Sequence, residues 1–174
     1  MRVRTAVLGI GAAMALACGV MLSARRSEGR TRAASGPGAE KQEIEAFNKR
    51  FIEAHLKMDN LAVTSLWAED GVSLLPEMAP LSSKKEIGKF IDEVTAKMRG
   101  YHMEKMDVDF EGIEVSGDWA SEWGFEHQVV QPPGSQPPLN EYGKLLLVLH
   151  RESDGSWKIK REMWNQGANE AARK

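Results

Sequence analysis

The segment from Tyr142 to Gln166, YGKLLLVLHRESDGSWKIKREMWNQ, constrains this chain more than any other, because it spells out a long β-hairpin together with its turn. Leu145, Leu146, Leu147, Val148 and Leu149 form an unbroken apolar run, as expected of a strand covered on both faces. Asp154-Gly155 supplies a turn whose backbone needs positive φ, which glycine adopts at little steric cost. Beyond it Trp157, Ile159 and Met163 alternate with Lys158 and Lys160, the period of two of a strand with one wet face. Such a hairpin, closing a chain that is helical earlier on, calls for a curved sheet wrapped over helices.

Not all of the 174 residues belong to that domain. Met1–Leu22 has a basic start (Arg2, Arg4) and then an apolar stretch from Ala6, the layout of an export signal. Three outcomes fit it: cleavage near Leu22-Ser23-Ala24, lipidation at Cys18 after Ala15-Leu16-Ala17, or retention as an N-terminal anchor. Arg25 and Arg26 after the run oppose the anchor, and the unusual Leu16 opposes lipidation. Residues 1–24 are therefore read as signal peptide or anchor and 25–39 as a flexible linker without a large apolar side chain. The domain is expected over 40–168, with a short tail at 169–174. Export, to the periplasm or the medium, is the expected localisation, with membrane contact only through the N-terminal segment.

Charge excludes one class of partner. Of the 23 basic residues six precede Glu40, so the rest of the chain carries 17 basic against 24 acidic residues, a formal charge of −7. Nucleic-acid phosphates would repel it. Cys18 is the only cysteine, which leaves the domain without disulfides or thiolate metal sites.

Along the domain, Ile44, Phe47, Phe51, Ala54, His55 and Met58 fall on one face of a first helix, Lys41 to Met58. Asp59 or Asn60 can cap a short second helix ending near Trp67, and Gly71 releases a short strand, Val72–Leu75. Ser83 with Glu86 forms a capping box for a third helix, whose Ile87, Phe90, Ile91, Val94 and Met98 share a face up to Gly100. Met106, Val108 and Phe110 then alternate with acidic residues, after which the apolar residues shift to Ile113 and Val115. One inserted residue does this, so a β-bulge is expected near Glu111-Gly112. Trp119, Ser121, Trp123, Phe125, His127 and Val129 share a face of the next strand, and Gln131–Pro138 is a proline-rich loop.

This order, with WAED at 67–70, GDWA at 117–120 and DGSWKI…WN across 154–165, resembles the SnoaL-like domain family of the nuclear-transport-factor-2-like superfamily, including its members described only as domains of unknown function. The resemblance implies an α+β cone, about three helices packed on a curved, mainly antiparallel sheet, with one apolar pocket open at an end. It also implies a homodimer through the sheet, which the apolar faces of Leu145–Leu149 suit. Fold leaves function open here, since the superfamily holds isomerases, cyclases, dehydratases, hydrolases and plain binding modules. Aligned through WAED, the tyrosine of ketosteroid isomerase falls on Phe51 and its carboxylate base on Leu75. Neither can transfer a proton. Asp70 does match the family, with two roles open: bonding backbone amides at a helix-to-strand junction, which is favoured, or general base.

The remaining candidates follow from residue type. His55 and His127 both lie on apolar faces and, if they faced one cavity, would form an acid–base pair. Each equally reads as a core-edge histidine with one satisfied hydrogen bond, and that reading is favoured because neither has a visible partner. No HxH, HxxxH or HExxH spacing occurs, so neither metal nor cofactor is expected. The aromatic supply suits a cavity for a flat or apolar ligand, with Phe51, Trp67, Trp119, Trp123, His127, Tyr142 and Asn165 as candidate contacts. Lys144 and Glu162 join Tyr142 and Asn165 as polar groups able to orient it. The expected function is binding of a small apolar or aromatic molecule. A lyase, isomerase or hydrolase using His55, His127 or Asp70 is the alternative.

Overall fold

The computed structural model describes residues 37–167, so the leader, most of the linker and the tail lie outside the described residues. Helices α1 (Pro37–Leu56) and α2 (Asn60–Ser65) precede strand β1 (Trp67–Leu74) and helix α3 (Lys84–Lys97). Strands β2 (His102–Ser116), β3 (Trp119–Gln131), β4 (Leu139–Arg151) and β5 (Trp157–Gln166) follow. They form one curved sheet in the order β1-β5-β4-β3-β2, antiparallel except where β1 runs parallel to β5. This is the expected α+β cone. Among the described residues no helix is long and apolar enough to cross a membrane.

The helices form where the sequence puts their signals. Ile44, Phe47, Phe51 and Ala54 are buried from one face of α1, each large side chain contributing about 1.5–3 kcal/mol by leaving water. Asp59 caps α2, accepting from Ala62 N at 3.0 Å. Ser83 caps α3 by accepting from Glu86 N at 3.2 Å, while Glu86 accepts in return from Ser82 N at 2.7 Å. The helix starts at Pro37 rather than near Lys41, the first turn lying ahead of the amphipathic stretch.

Strand signals hold less evenly. The β2 bulge lies between Glu111 and Glu114, with Gly112 at φ 59°, and keeps both Phe110 and Ile113 on the core. In the β4–β5 turn Gly155 takes φ 86° and donates to Glu152 O at 2.8 Å. Three expectations need correction. Trp67–Asp70 does not close α2 but begins β1, because Leu66 ends the helix and its carbonyl accepts from Ile159 N at 2.8 Å. Within one chain strand β4 is covered on one face only: Leu147 is 0% exposed and Leu146 is 41% exposed. Met163 does not share the inner face of Trp157 and Ile159; it is exposed, because the β4–β5 register slips at Lys160, with Leu149 opposite Ile159 and Val148 opposite Arg161.

Two buried polar clusters tie α1 to the sheet. Buried Arg151 pairs with Glu43 at 2.8 Å and covers the Trp157 ring at 4.4 Å, and Trp157 Nε1 donates to the same Glu43 oxygen at 3.0 Å. Further along, Asn48 Nδ2 donates to Glu122 Oε2 at 2.8 Å, while Asn48 Oδ1 and Glu122 Oε1 are buried without partners. Two buried acceptors without a donor call for a proton, and a neutral Glu122 supplies the O–H that can close an acid–amide pair. Burial pushes the Glu122 carboxyl up to about 7, against the opposing Asn48 bond.

A raised folded-state pKa gives stability that is complete below the unfolded value and lost as pH rises through the folded one. For Glu122 that window runs from 4.5 to about 7, with a loss on the order of 3 kcal/mol. Glu162, described below, acts in the same window and direction. The carboxylates with lowered pKa, Glu53, Asp70 and Asp154, act only below the ordinary carboxylate range, whereas His55, its pKa lowered by burial, works the opposite way below 6.5 and offsets part of the loss from the two acids. Denaturant unfolding should therefore show falling stability from pH 4.5 to 7.5, and Glu122→Gln should flatten most of the Glu122 share while keeping the fold. An equal pH slope in wild type and variant would contradict a buried neutral Glu122.

Candidate functional site

On the apolar face of α3, Ile87 belongs to the core and Ile91 packs against it. Ile87 is buried, but Phe90, Ile91, Val94 and Met98 remain half-buried over open space. That space is a cavity of about 440 Å3, walled by these side chains, by Phe51, His55 and Met58 from α1 and its end, and by Trp67, Ser73, Glu126, Gln128, Glu162 and Trp164 from the sheet. Asn60, Thr95 and Glu141 also line it. Among the described residues no lysine or arginine does.

Each polar group has a local reason for its place. His55 lies one turn beyond Phe51, its ring 4.2 Å from the phenyl ring and its Nδ1 2.7 Å from the Phe51 carbonyl oxygen. A carbonyl only accepts, so the proton sits on Nδ1 and leaves Nε2 as an acceptor. Burial lowers the His55 pKa, against the backbone bond that raises it, and keeps the ring neutral.

Glu162 pairs in register with Ser73 on parallel β1, and Ser73 Oγ donates to its Oε2 at 2.6 Å. The side chain keeps partial exposure, but that surface opens on the cavity, so burial still governs its ionisation. Burial pushes its carboxyl up to about 7; the Ser73 bond opposes this and the nearby charge of Glu126 adds to it.

Glu126 is 4% exposed on β3 and accepts from Trp164 Nε1 at 3.0 Å and from Gln128 Nε2. Burial again raises its pKa, and the two donors pull the other way. The indole reaches Glu126 by crossing β4 above Gly143, which lies opposite Glu126 in the ladder. A Cβ at Gly143 would fall 2.2 Å from Trp164 Nε1, so only glycine admits the crossing.

Of the candidates from sequence, Phe51, Trp67, His55 and Glu162 line the cavity. Trp119, Trp123 and His127 share a face as expected, but it is the outer face: both tryptophans are exposed, at 46% and 43%. His127 stacks on Tyr142 with ring centroids 4.4 Å apart and bonds Asn140 at 3.1 Å, so His55 and His127 do not face one cavity. Asn165 and Lys144 are exposed. Asp70 is also exposed; its carboxylate pairs with Lys160, which lowers its pKa most, and a bond to its own backbone amide lowers it further.

Glu126, Gln128 and Ser73 were not singled out by sequence. The even face of β3 holds Ala120, Glu122, Gly124 and Glu126, and the odd face holds the large aromatics. Size favours the wrong face for the interior. The small residues were the usable signal, because Gly124 leaves 2.6 Å between a built Cβ and Asp109 O.

No family model and no curated protein matches the sequence. Solved structures do match in fold. A ketosteroid isomerase-like protein from Erwinia carotovora atroseptica superposes with a TM-score of 0.64 at 20% identity, over 75% of this chain and 98% of that one. A protein of the nuclear-transport-factor-2-like family from Streptomyces avermitilis, provisionally named a dehydratase, gives 0.64 at 20% identity over 76% and 99%. ActVI-ORFA from Streptomyces coelicolor gives 0.64 at 13% identity over 74% and 97%. The fold is that of the nuclear-transport-factor-2-like superfamily.

Proposed function

We propose that the cone holds a small, largely apolar molecule. The carrying observation is the cavity of about 440 Å3, walled mainly by aromatic and aliphatic side chains with a few polar groups at one side, the usual build of a small-molecule site. The names of the superposed proteins, an isomerase-like protein and a provisional dehydratase, favour a second reading in which the pocket also moves protons. Glu162 is the observation behind it: a cavity carboxyl poised at about 7 suits a general acid or base near neutral pH. The positions aligned with the isomerase's acid–base pair hold Phe51 and Leu75, so proton transfer would run through different residues. Binding is the reading retained.

A neutral solvatochromic dye, Nile red, tests it. The dye should bind with a blue shift and perturb emission from Trp67 and Trp164, and Val94→Trp, which fills the cavity, should cut affinity about tenfold or more, some 1.4 kcal/mol. Equal dye binding by a folded Val94→Trp protein would place the ligand elsewhere. Turnover of whatever molecule co-purifies, lost in Glu162→Gln with binding intact, would decide for the enzyme.

Two further proposals concern the native protein. Trp123, Leu146 and Met163 stand side by side on the outer sheet face, exposed at 43%, 41% and 42%. We assign this row to a second copy of the chain in an isologous contact. From the leader pattern of Met1–Leu22 we also propose that the domain lies outside the cytoplasm. Sedimentation should give a dimer for the wild type and a folded monomer for Leu146→Glu. Intact mass of native material should begin near Cys18 or Arg25, or at Met1 in the membrane fraction. A monomeric wild type, or a full-length soluble cytoplasmic chain, would overturn the respective proposal.

A further inference from the structure

The polar side of the cavity is one-sided in its chemistry. Ser73 spends its hydroxyl proton on Glu162, and Gln128 and Trp164 donate to Glu126. Asn60 Nδ2 is bonded to Asp92 at 2.8 Å, and the Thr95 hydroxyl to Asn60 at 2.9 Å. Gln128 and Asn60 each keep one amide N–H, but the ionisable groups of the wall offer acceptor capacity: the second oxygen of Glu162, His55 Nε2 and the Glu141 carboxylate towards the mouth, one oxygen of which accepts from Gln166 at 3.4 Å. Neither Glu126 nor Glu162 forms an ion pair among the described residues, and no lysine or arginine lines the cavity. Carboxylates buried without a counter-charge are costly, and the missing charge is one a ligand can bring.

We propose that the ligand is a hydrophobic amine, its ammonium group held by Glu162 and Glu126 and its hydrocarbon body against α3. This rests on the pocket reading above and names the chemistry of its occupant. Aromatic walls from Phe51, Trp67, Phe90 and Trp164 suit a cation as well as an apolar body. A carboxylate ligand meets the opposite situation, like charge on every ionisable wall group except the neutral His55. The titratable groups facing Glu162 are Glu126 from β3, Glu141 from β4 and His55 from α1; β1, α2 and α3 offer only Ser73, Asn60 and Thr95. Because Glu162 ionises around neutrality, amine binding draws a proton off the protein below that point and strengthens as pH rises.

The test is calorimetric titration of the full chain with three probes of one carbon skeleton, 4-phenylbutylamine, 4-phenylbutanol and 4-phenylbutyrate. At pH 8 the amine should bind at least about tenfold tighter than the alcohol, with the acid weakest, a gap of roughly 1.4 kcal/mol or more. The amine's affinity should fall towards pH 5 with proton release on binding, and the alcohol's should stay flat. In the double variant Glu126→Gln, Glu162→Gln the amine's advantage should vanish while the alcohol binds as before, which shows the pocket intact. An alcohol that binds as well as the amine, an advantage that survives in the double variant, or an amine that does not bind overturns the inference. Nile red binding then decides separately whether the pocket reading stands. Should the double variant fail to bind the alcohol, the single variants and the wild-type pH series carry the same comparison, and a pH-independent amine advantage sinks the proposal.

Discussion

The cavity depends on one slip of register, at Lys160. Without it β5 would continue its strict alternation, and Glu162 and Trp164 would point out of the cone with Lys158 while Met163 pointed in. With it Trp157, Ile159, Glu162 and Trp164 all serve the interior, against Leu145, Leu147 and Leu149 on β4. The neighbouring strand bends to match: β1 takes five residues from Trp67 to Val72 where β5 takes two from Ile159 to Arg161. The charge pair of Asp70 with Lys160 spans the two irregularities on the outside. Asp70 therefore lies outside the cavity, beside the slip.

The buried acids divide according to what lies beside them. Glu122 sits under α1 with the Asn48 amide, where a proton can complete the bonding within the protein. Glu126 and Glu162 sit at a wall that opens on empty space, so the group that completes their bonding can come from outside. Both settings raise the pKa through burial, and the shift alone does not tell a structural acid from a binding one. The neighbourhood does. The same contrast separates two helices: α1 buries Ile44, Phe47, Phe51 and Ala54 in the core, whereas α3 buries Ile87 and lines the cavity with Phe90, Ile91, Val94 and Met98.

The likeness to isomerase-like and dehydratase-like folds is one of architecture. At 13–20% identity it carries the cone and not the chemistry. Phe51 and Leu75 are both on the cavity wall and both apolar. The carboxyls of the cavity come from the sheet, Glu126 on β3, Glu141 on β4 and Glu162 on β5.

Local rules were enough for the elements themselves. The face of α1, the Asp59 and Ser83 caps, the Gly112 bulge and the Asp154-Gly155 turn each depend on a few adjacent residues, and each appears where the sequence puts it. Side chains that face solvent or pocket depend on something else, the parity of each strand against its partners. A period of two says which residues travel together but not which set goes in, and one slipped residue reverses the answer. Trp119, Trp123 and His127 were grouped by sequence and turned outward by pairing with β4. Glu162 was turned inward by the slip at Lys160, and Glu126 was joined to Trp164 across a gap only Gly143 allows. Those contacts span strands remote in sequence, so the tertiary structure alone decided which acids line the cavity.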